Sequence, residues 1–310
     1  ICLGELLIDF VALETDVEVG DAYGFKKAPG GAPANVAVAA ARLGHKAGFM
    51  GQVGDDPFGH FLAGVLQKDG VDIHGLRYST EARTALAFVS LRADGERSFS
   101  FYRNPSADML LRPGELPLHV IDDYQIFHFG SITLIDEPVR SATLEAVQYA
   151  RNKGLMISYD PNLRLMLWEN ADAARAGMLS GFEYASLVKI SEEELVFLTG
   201  GHDVTPLWRD SIQMIVITRG ADGATIYTKG GSQTSAPGYS VKAVDTTGAG
   251  DSFVAGLLDG ILTHGDDYPN HLPEILRFAN AVGAITTTKR GAIPALPKKK
   301  QALALMNKEK

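Results

Sequence analysis

Short β-rich runs alternate with helical patterns over most of this 310-residue chain. Alternation of this kind is typical of a mostly parallel sheet that is covered by helices on both faces. The β-rich runs lie at residues 1–8, 125–129, 155–159, 186–190 and 213–218. In such sheets, ligands bind beyond the carboxyl ends of the strands, where the loops gather. The sequence therefore predicts an α/β fold whose functional residues lie along one edge of the sheet.

One region breaks this alternation. Two strand-like runs at 86–91 and 97–103 are joined by a turn that contains an Asp-Gly pair, which is a strong signal for a β-hairpin. The two-residue period of a strand puts Phe101 and Arg103 on one face. The hairpin is either a lid over a polar ligand or an edge hairpin that packs on the core. With a lid, the β lid comprises residues 11–28 and 85–104, and the main α/β domain comprises residues 1–10, 29–84 and 105–310.

Composition excludes several classes of function. The formal net charge is -8, so a nucleic-acid role has no electrostatic support. A single cysteine, Cys2, excludes a disulfide framework and a CxxC zinc site, and it suits a reducing cytoplasm. We find no apolar stretch of transmembrane length and no signal peptide, so we expect a cytoplasmic protein without a membrane role. The chain begins inside a predicted strand, and we expect a few residues to precede Ile1.

Residues 245–252 read DTTGAGDS and lead directly into an apolar helical pattern. Gly248, Ala249 and Gly250 leave the backbone unshielded at the point where this helix begins. The first N–H groups of a helix have no partners within it, so they can face a phosphate or a developing negative charge. Asp251 lies beside them, where a carboxylate can remove a proton from a nucleophile next to a phosphoryl group. The alternative is a capped helix start at which Asp251 only complements the helix dipole.

A second glycine-rich stretch, GGAPANV at residues 30–36, opens another predicted helix. Pro33 suits the first helical turn, and Asn35 then presents an amide that can donate and accept at once, as a sugar hydroxyl requires. The alternative is that the alanines only permit close helix packing and that Asn35 is a turn residue. Asp9 follows the apolar run 1–8. Because buried strands rarely end on an unpaired charge, Asp9 is a candidate acceptor for ligand hydroxyls.

Two further loops follow predicted strands. The segment DPNLR at 160–164 is a turn by composition, and the segment TRGADG at 218–223 has a composition that could pass under a nucleotide but is also common in turns. Neither GxGxxG nor GxxxxGK[ST] occurs, so a Rossmann dehydrogenase and a P-loop kinase both lack their phosphate signature. The DTTGAGDS turn is therefore the strongest candidate for a phosphate site.

With these motifs in this order, the chain resembles the ribokinase-like (PfkB) family of carbohydrate kinases from Gly4 to about Pro297. GGAPANVAVAAARLG at 30–44 resembles the family's N-terminal signature, and DTTGAGDSFVAG at 245–256 resembles its C-terminal one. The run FYRNPSAD at 101–108 and the GAPAN form of the first signature are similar to those of bacterial and plant fructokinases, whereas ribokinases usually carry GKGAN. The resemblance implies a ribokinase-like three-layer α/β sandwich with a mostly parallel central sheet and a small β-sheet lid.

The resemblance also implies a role for each matching residue. Asp251 would be the base, next to an anion hole formed by Gly248, Ala249 and Gly250. The residues that would hold the sugar are Asp9, Gly30, Gly31, Asn35, Arg103 and Arg164. The residues that would surround ATP are Thr218, Gly220, Gly223 and Asn280.

Two cations are implied in the same way. The family's NxxE element falls on residues 191–194, so Glu194 would organise water bound to Mg2+, while Ser191 replaces the usual Asn and puts one polar contact near the phosphates in doubt. Many members use K+ beside the anion hole. In this chain the K+ site would map to Asp245, Thr247, Thr286, Lys289 and Gly291. Ala295 stands where relatives often have a serine hydroxyl, which would remove one ligand.

We therefore expect an ATP-dependent kinase that acts on the primary hydroxyl of a ketose and converts D-fructose to fructose 6-phosphate. 2-Keto-3-deoxygluconate kinase and ribokinase are alternatives, because Arg103 and Arg164 together would suit a sugar acid whereas one arginine would suit a neutral ketose. A non-catalytic sugar or nucleotide sensor is the alternative from another class. Because exposed apolar lid strands often need a partner to cover them, we also expect a homodimer joined through the lids.

Overall fold

Two separate sheets organise the chain in the computed structural model, which describes residues 1–91 and 97–308. The strands are β1 (Cys2–Leu3), β2 (Leu7–Thr15), β3 (Phe25–Gly30), β4 (Gly48–Gly54), β5 (Asp72–Ser79), β6 (Leu86–Leu91), β7 (Arg97–Tyr102), β8 (Ile126–Gly130), β9 (Met156–Asp160), β10 (Leu187–Ser191), β11 (Met214–Thr218), β12 (Ala224–Thr228) and β13 (Gln233–Ala236). The α-helices are α1 (Ala32–Leu43), α2 (Pro57–Lys68), α3 (Val139–Asn152), α4 (Ala171–Phe182), α5 (Glu192–Thr199), α6 (Ala249–His264), α7 (Leu272–Thr286) and α8 (Lys299–Lys308). Within the two described ranges, no helix combines the length and apolar character needed to cross a bilayer.

The larger sheet has nine strands in the order β13-β12-β11-β10-β9-β8-β1-β4-β5. All neighbouring pairs from β11 to β5 are parallel, and β12 and β13 add an antiparallel edge. Helices α1, α2, α6, α7 and α8 bury one apolar cluster against this sheet, and α3, α4 and α5 bury a second one. The predicted three-layer sandwich is thereby confirmed. The runs predicted at 125–129, 155–159, 186–190 and 213–218 match β8 to β11 to within one residue.

The prediction of one strand over residues 1–8 is wrong. This apolar stretch contains β1 in the larger sheet and the start of β2 in the smaller one, so the chain passes from one sheet to the other between them. The crossing is fixed by Glu5, whose buried Oε1 accepts a hydrogen bond of 2.8 Å from the backbone N–H of Ala32. Asp9 is consequently the third residue of β2 and does not end the apolar strand as the sequence suggested.

The smaller sheet contains the predicted hairpin and has the strand order β3-β2-β6-β7. Strand β6 has the predicted bounds, β7 ends one residue early, and the turn predicted between them lies outside the described residues. The sheet also includes residues 7–10 and 29–30, which the sequence assigned to the main domain. Backbone pairing places Asp9, Ala87 and Phe101 in one row, so all three share a face of the sheet.

The opposite face of the smaller sheet packs on the main body through aromatic rings. Phe10 of β2 stacks on Phe88 of β6 with centroids 5.2 Å apart, and its edge meets Phe58 of α2 at 5.8 Å. The two-residue period of β2 therefore sends Phe10 toward the main body and Asp9 to the other side. This arrangement makes the hairpin part of a separate small sheet instead of an edge of the nine-stranded sheet.

We predict that Glu5→Gln removes a pH dependence of stability. Burial raises the pKa of the Glu5 carboxyl group from 4.5 to about 7, although the hydrogen bond from Ala32 and the charge of Arg103 act in the opposite direction. The folded protein then binds this proton more tightly than the unfolded chain does. The contribution of Glu5 is fully present below about pH 4.5 and is lost as the pH rises through about 7, a change of roughly 3 kcal/mol.

Urea unfolding of both proteins at about pH 5 and about pH 8 measures this contribution. The wild type should lose stability over that interval relative to Glu5→Gln, while the substitution of the exposed Glu169 by Gln should not alter the pH dependence. Identical pH dependence in the wild type and Glu5→Gln would contradict the assignment.

Candidate active site

The turn before α6 presents unpaired backbone donors. Gly248 caps the helix in the left-handed region with φ of 77°, a conformation that favours glycine. In the described part of the chain, no protein acceptor receives the N–H groups of Gly248, Gly250 and Asp251, whereas that of Ala249 donates to the Thr246 carbonyl at 3.2 Å. Three N–H groups at the positive end of α6 therefore remain available to an anion, and the amide of Ala249 is already bonded.

Asp251 lies in the first turn of α6, is 8% exposed, and points at α1. Its Oδ2 accepts a hydrogen bond of 2.7 Å from the side-chain amide of Asn35. Burial raises the pKa of the Asp251 carboxyl group to about 6, against the opposing effect of the Asn35 hydrogen bond. A carboxylate with this pKa, beside unpaired amides, is suited to accept a proton near neutral pH.

The glycine pair at residues 30–31 brings the start of α1 close to β2. A Cβ atom on residue 30 would collide with Oδ2 of Asp9, and one on residue 31 would collide with the backbone carbonyl of Glu5. Gly31 also has φ of 113°, which other residues rarely adopt. Gly30 therefore allows Asp9, and Gly31 allows the Glu5 backbone, to lie against the turn that leads to Asn35. Asn35 Oδ1 is buried with no partner among the described residues.

Arg103 is buried and already paired with a carboxylate. Its side chain is 4% exposed, and its Nε donates to Oδ2 of Asp108 at 2.7 Å. The Ser106 hydroxyl also donates to Asp108. Within residues 1–91 and 97–308, Nη2 of Arg103 is buried without a partner, so the guanidinium retains a donor although its charge is balanced.

A buried ion pair that the sequence did not single out lies beside α6. The ammonium group of Lys189 on β10 donates to Oδ2 of Asp160 at the end of β9 at 3.0 Å, and both residues are less than 8% exposed. The Lys189 Nζ is 3.1 Å from the position that a Cβ on Gly250 would take. The available signal was a lysine between the apolar residues of the strand LVKIS, because unpaired lysines are almost never fully buried.

Glu194 is fixed between the carboxyl ends of β9 and β10. Its two carboxylate oxygens accept hydrogen bonds from the backbone N–H groups of Leu163 (2.7 Å) and Ser191 (2.8 Å). The Ser191 hydroxyl accepts in return from the N–H of Glu194 at 3.1 Å, which completes a capping box. Burial raises the pKa of Glu194, and the Asp160 charge acts in the same direction. Arg164, Lys189 and Glu194 line one cavity of about 300 Å³.

A second cavity of about 520 Å³ adjoins the start of α6. All four residues that the resemblance assigned to ATP line it, together with Ala249 and Gly250. These four are Thr218, Gly220, Gly223 and Asn280. The side-chain amide of Asn280 donates to the carbonyls of Ala236 (3.2 Å) and Pro237 (3.0 Å), so it holds the loop that follows β13 against α7. The volume lies within the range of sites for small ligands and cofactors.

The residues implied for K+ form a loop junction next to the same helix start. Oδ1 of Asp245 accepts from the backbone and hydroxyl of Thr247 at 2.9 and 2.6 Å, and Oδ2 accepts from the N–H of Gly291 at 2.8 Å. The hydroxyl of Thr286 donates back to the Val282 carbonyl within α7. Lys289 lies in the loop before Gly291. The junction thus brings three of the five implied residues into direct contact.

Known proteins resemble the chain over almost its full length. The model of the pfkB family carbohydrate kinases matches residues 1–299. Probable fructokinase-4 of Arabidopsis thaliana is 52% identical over 316 residues, which cover 99% of this chain and 96% of that protein. A crystal structure of fructokinase with bound ATP from Xylella fastidiosa is 36% identical with a TM-score of 0.91, covering 99% of this chain and 98% of that one.

A second solved structure carries more ligands. It is a fructokinase double mutant from Vibrio cholerae O395 in a form with bound fructose, ADP and potassium ion. It is 36% identical to this chain, has a TM-score of 0.86, and covers 98% of this chain and 96% of its own. The likeness therefore extends over almost the full length of the chain.

Proposed function

Because this chain belongs to the pfkB family of carbohydrate kinases, we propose that it transfers the γ-phosphoryl group of ATP to the primary hydroxyl of D-fructose, giving fructose 6-phosphate. The observation that carries this proposal is the buried Asp251 carboxylate next to the unpaired N–H groups at the start of α6. A proton acceptor and an adjacent anion site are the two elements that phosphoryl transfer to an alcohol needs.

In the proposed reaction, Asp251 accepts the proton of the sugar hydroxyl while the hydroxyl oxygen forms a bond to the γ-phosphorus. The bond from the γ-phosphorus to the β,γ-bridging oxygen breaks, and ADP leaves with that electron pair. The N–H groups of Gly248, Gly250 and Asp251 donate to the oxygens of the transferred group. Phosphoryl transfer needs little covalent help, so positioning and charge neutralisation supply most of the acceleration.

We place the nucleotide in the cavity lined by Thr218, Gly220, Gly223 and Asn280, with its γ-phosphoryl group at the start of α6. The sugar lies on the other side of Asp251. There Asp9 accepts from its hydroxyls, Asn35 donates and accepts, and the backbone of Gly30 and Gly31 approaches it closely. The small sheet that carries Asp9 excludes water, which would otherwise compete as the phosphoryl acceptor.

The pairing of Arg103 favours a neutral acceptor over a sugar acid. Arg103 donates to the buried carboxylate of Asp108, so its charge is balanced before any ligand arrives. Its buried Nη2 can still donate a hydrogen bond to a neutral hydroxyl. Arg164 shares its cavity with Lys189 and Glu194, which supports a role beside the phosphates instead of the sugar role that the resemblance implied. Neither arginine then supplies a charge for the carboxylate of 2-keto-3-deoxygluconate.

We also propose that Glu194 holds a water ligand of Mg2+, and that Asp245, Thr247 and Gly291 organise a K+ site. Each oxygen of Glu194 is bonded once to backbone, and a carboxylate oxygen accepts in two directions, so a metal-bound water fits there. Mg2+ would neutralise charge on the transferred phosphoryl group.

Chelation of Mg2+ should abolish turnover, and exchange of K+ for Na+ should lower it.

A homodimer joined through the small sheets is supported by exposed apolar side chains on that sheet. Leu13 of β2 and Tyr102 of β7 are 50% and 65% exposed. A second copy would cover them, because exposed apolar strands favour association. A molecular mass of one chain in sedimentation equilibrium would refute this proposal.

Cys2, which is free and buried, is compatible with a cytoplasmic location.

We predict that kcat/KM is highest for fructose among four acceptors: fructose, ribose, adenosine and 2-keto-3-deoxygluconate. The sugar acid should be slower than fructose by roughly 10²-fold, because burying its carboxylate without a partner costs about 3 kcal/mol. A coupled assay of ADP release measures all four. Faster turnover of the acid would contradict the neutral pocket, and nucleotide binding without turnover of any acceptor would indicate a sensor.

We predict that Asp251→Asn lowers kcat by roughly 10² to 10⁴, the usual contribution of a general base, while the fold is retained. The wild-type rate should also fall as the pH drops below about 6, because the Asp251 carboxyl group becomes protonated. Steady-state kinetics from acidic to neutral pH measures both effects, with substitution of the exposed Asp172 by Asn as the matched control. Near-normal turnover by Asp251→Asn would refute the role.

A further inference from the structure

We propose that the ammonium group of Lys189 binds the γ-phosphoryl group during transfer and that Asp160 positions it, an inference that rests on the proposed kinase function. Lys189 then completes the anion site. It contributes a side chain from the central sheet, whereas α6 contributes backbone N–H groups. The sequence motifs of the site do not include Lys189, and Asp160 entered them only as the first residue of the DPNLR segment, which was interpreted as a turn.

The position of Lys189 on β10 directs its side chain toward α6. Successive residues of a strand point to opposite faces. Leu187 packs in the cluster that contains α6, whereas Val188 and Ile190 pack in the cluster on the other face. Lys189 shares the face of Leu187, so its long stem runs under α6 and its ammonium group arrives next to Gly250.

The ion pair between Lys189 and Asp160 is incomplete on both sides. An ammonium group has three N–H donors, and in the described part of the chain Nζ of Lys189 meets one acceptor, Oδ2 of Asp160. Oδ1 of Asp160 is buried and has no partner within those residues. A buried pair that served stability alone would need its remaining donors and acceptors satisfied. The unused donors of Lys189 therefore point to a ligand that the protein itself does not supply.

Lys189 lies where the two cavities of the site approach each other. It lines the cavity of about 300 Å³ with Arg164 and Glu194. Gly250, on the 520 Å³ cavity, is so close that a Cβ on it would be 3.1 Å from Nζ. A phosphoryl group that accepts from the N–H of Gly250 is therefore within reach of the ammonium group as well.

The charge balance of the site also requires this cation. Three carboxylates, those of Asp160, Glu194 and Asp251, interact electrostatically with Lys189. Without Lys189, they would repel a triphosphate. The serine that replaces the usual Asn cannot supply this charge, because a hydroxyl is neutral, and the Ser191 hydroxyl already takes part in the capping box of Glu194. Lys189, two residues earlier on the same strand, supplies a positive group at this place.

Two variants test the proposal. Lys189→Met removes the cation but leaves Asp160 unpaired, so the double variant Lys189→Met/Asp160→Asn is made as well, because it removes both charges and protects the fold. Calorimetry compares their affinities for AMP and for a non-hydrolysable ATP analogue in the presence of Mg2+, and steady-state assays give kcat and KM for ATP. Lys153→Met, which breaks an exposed pair with Asp122, is the matched control.

We expect both variants to bind AMP as the wild type does, to bind the ATP analogue at least about 10-fold more weakly, and to lose about 10²-fold to 10³-fold in kcat/KM for ATP. Lys189→Arg should recover part of the loss because it retains the charge. Equal loss of AMP and ATP-analogue affinity, or an unchanged kcat/KM in the double variant, would overturn the assignment. If the wild type fails to phosphorylate fructose while the selective loss of ATP-analogue affinity persists, the proposed acceptor fails and the role of Lys189 stands.

Discussion

The hydrogen bond from Asn35 to Asp251 is the interaction on which the site depends. It joins residues 216 positions apart and ties the first turn of α1 to the first turn of α6. Ala34, Ala37 and Ala39 of α1 are buried and permit this close approach, so close packing does not exclude a ligand-facing amide. The bond engages the carboxylate of Asp251, while the N–H groups of Gly248, Gly250 and Asp251 keep no protein acceptor among the described residues, and the proposed reaction uses this separation of roles.

Opposing electrostatic effects at the start of α6 set the pKa of the Asp251 carboxyl group. Burial raises the pKa of its carboxyl group to about 6, while Asn35, Lys189 and Arg164 oppose the shift. A buried carboxylate without these partners would be protonated near neutral pH, and one with an ordinary pKa would be a weak base. The two cations, Lys189 and Arg164, thus favour the ionised form of Asp251, and in the proposed reaction the same charges would also face the phosphates.

The sequence predicted those parts of the molecule that local patterns determine. Strands β8 to β11 follow from apolar runs bounded by loops, and the start of α6 follows from three small residues before an apolar helical pattern. The single strand predicted over residues 1–8 failed because Glu5, a contact across 27 positions, makes the chain change sheets. Lys189 was missed for a similar reason, since its partner Asp160 belongs to a neighbouring strand that only the fold brings close.

The buried pair of Arg103 and Asp108 supports the proposal that the acceptor is neutral. Arg103 follows β7, and the loop after it returns Asp108 to its Nε at 2.7 Å. Because both side chains are almost fully buried, removal of either would leave an uncompensated charge, which is strongly destabilising. The charge of the guanidinium is therefore balanced within the fold, while its Nη2 is buried without a partner among the described residues. A pocket with that donor can bind a hydroxyl. The carboxylate of a sugar acid would instead need the charge of an arginine that Asp108 does not neutralise.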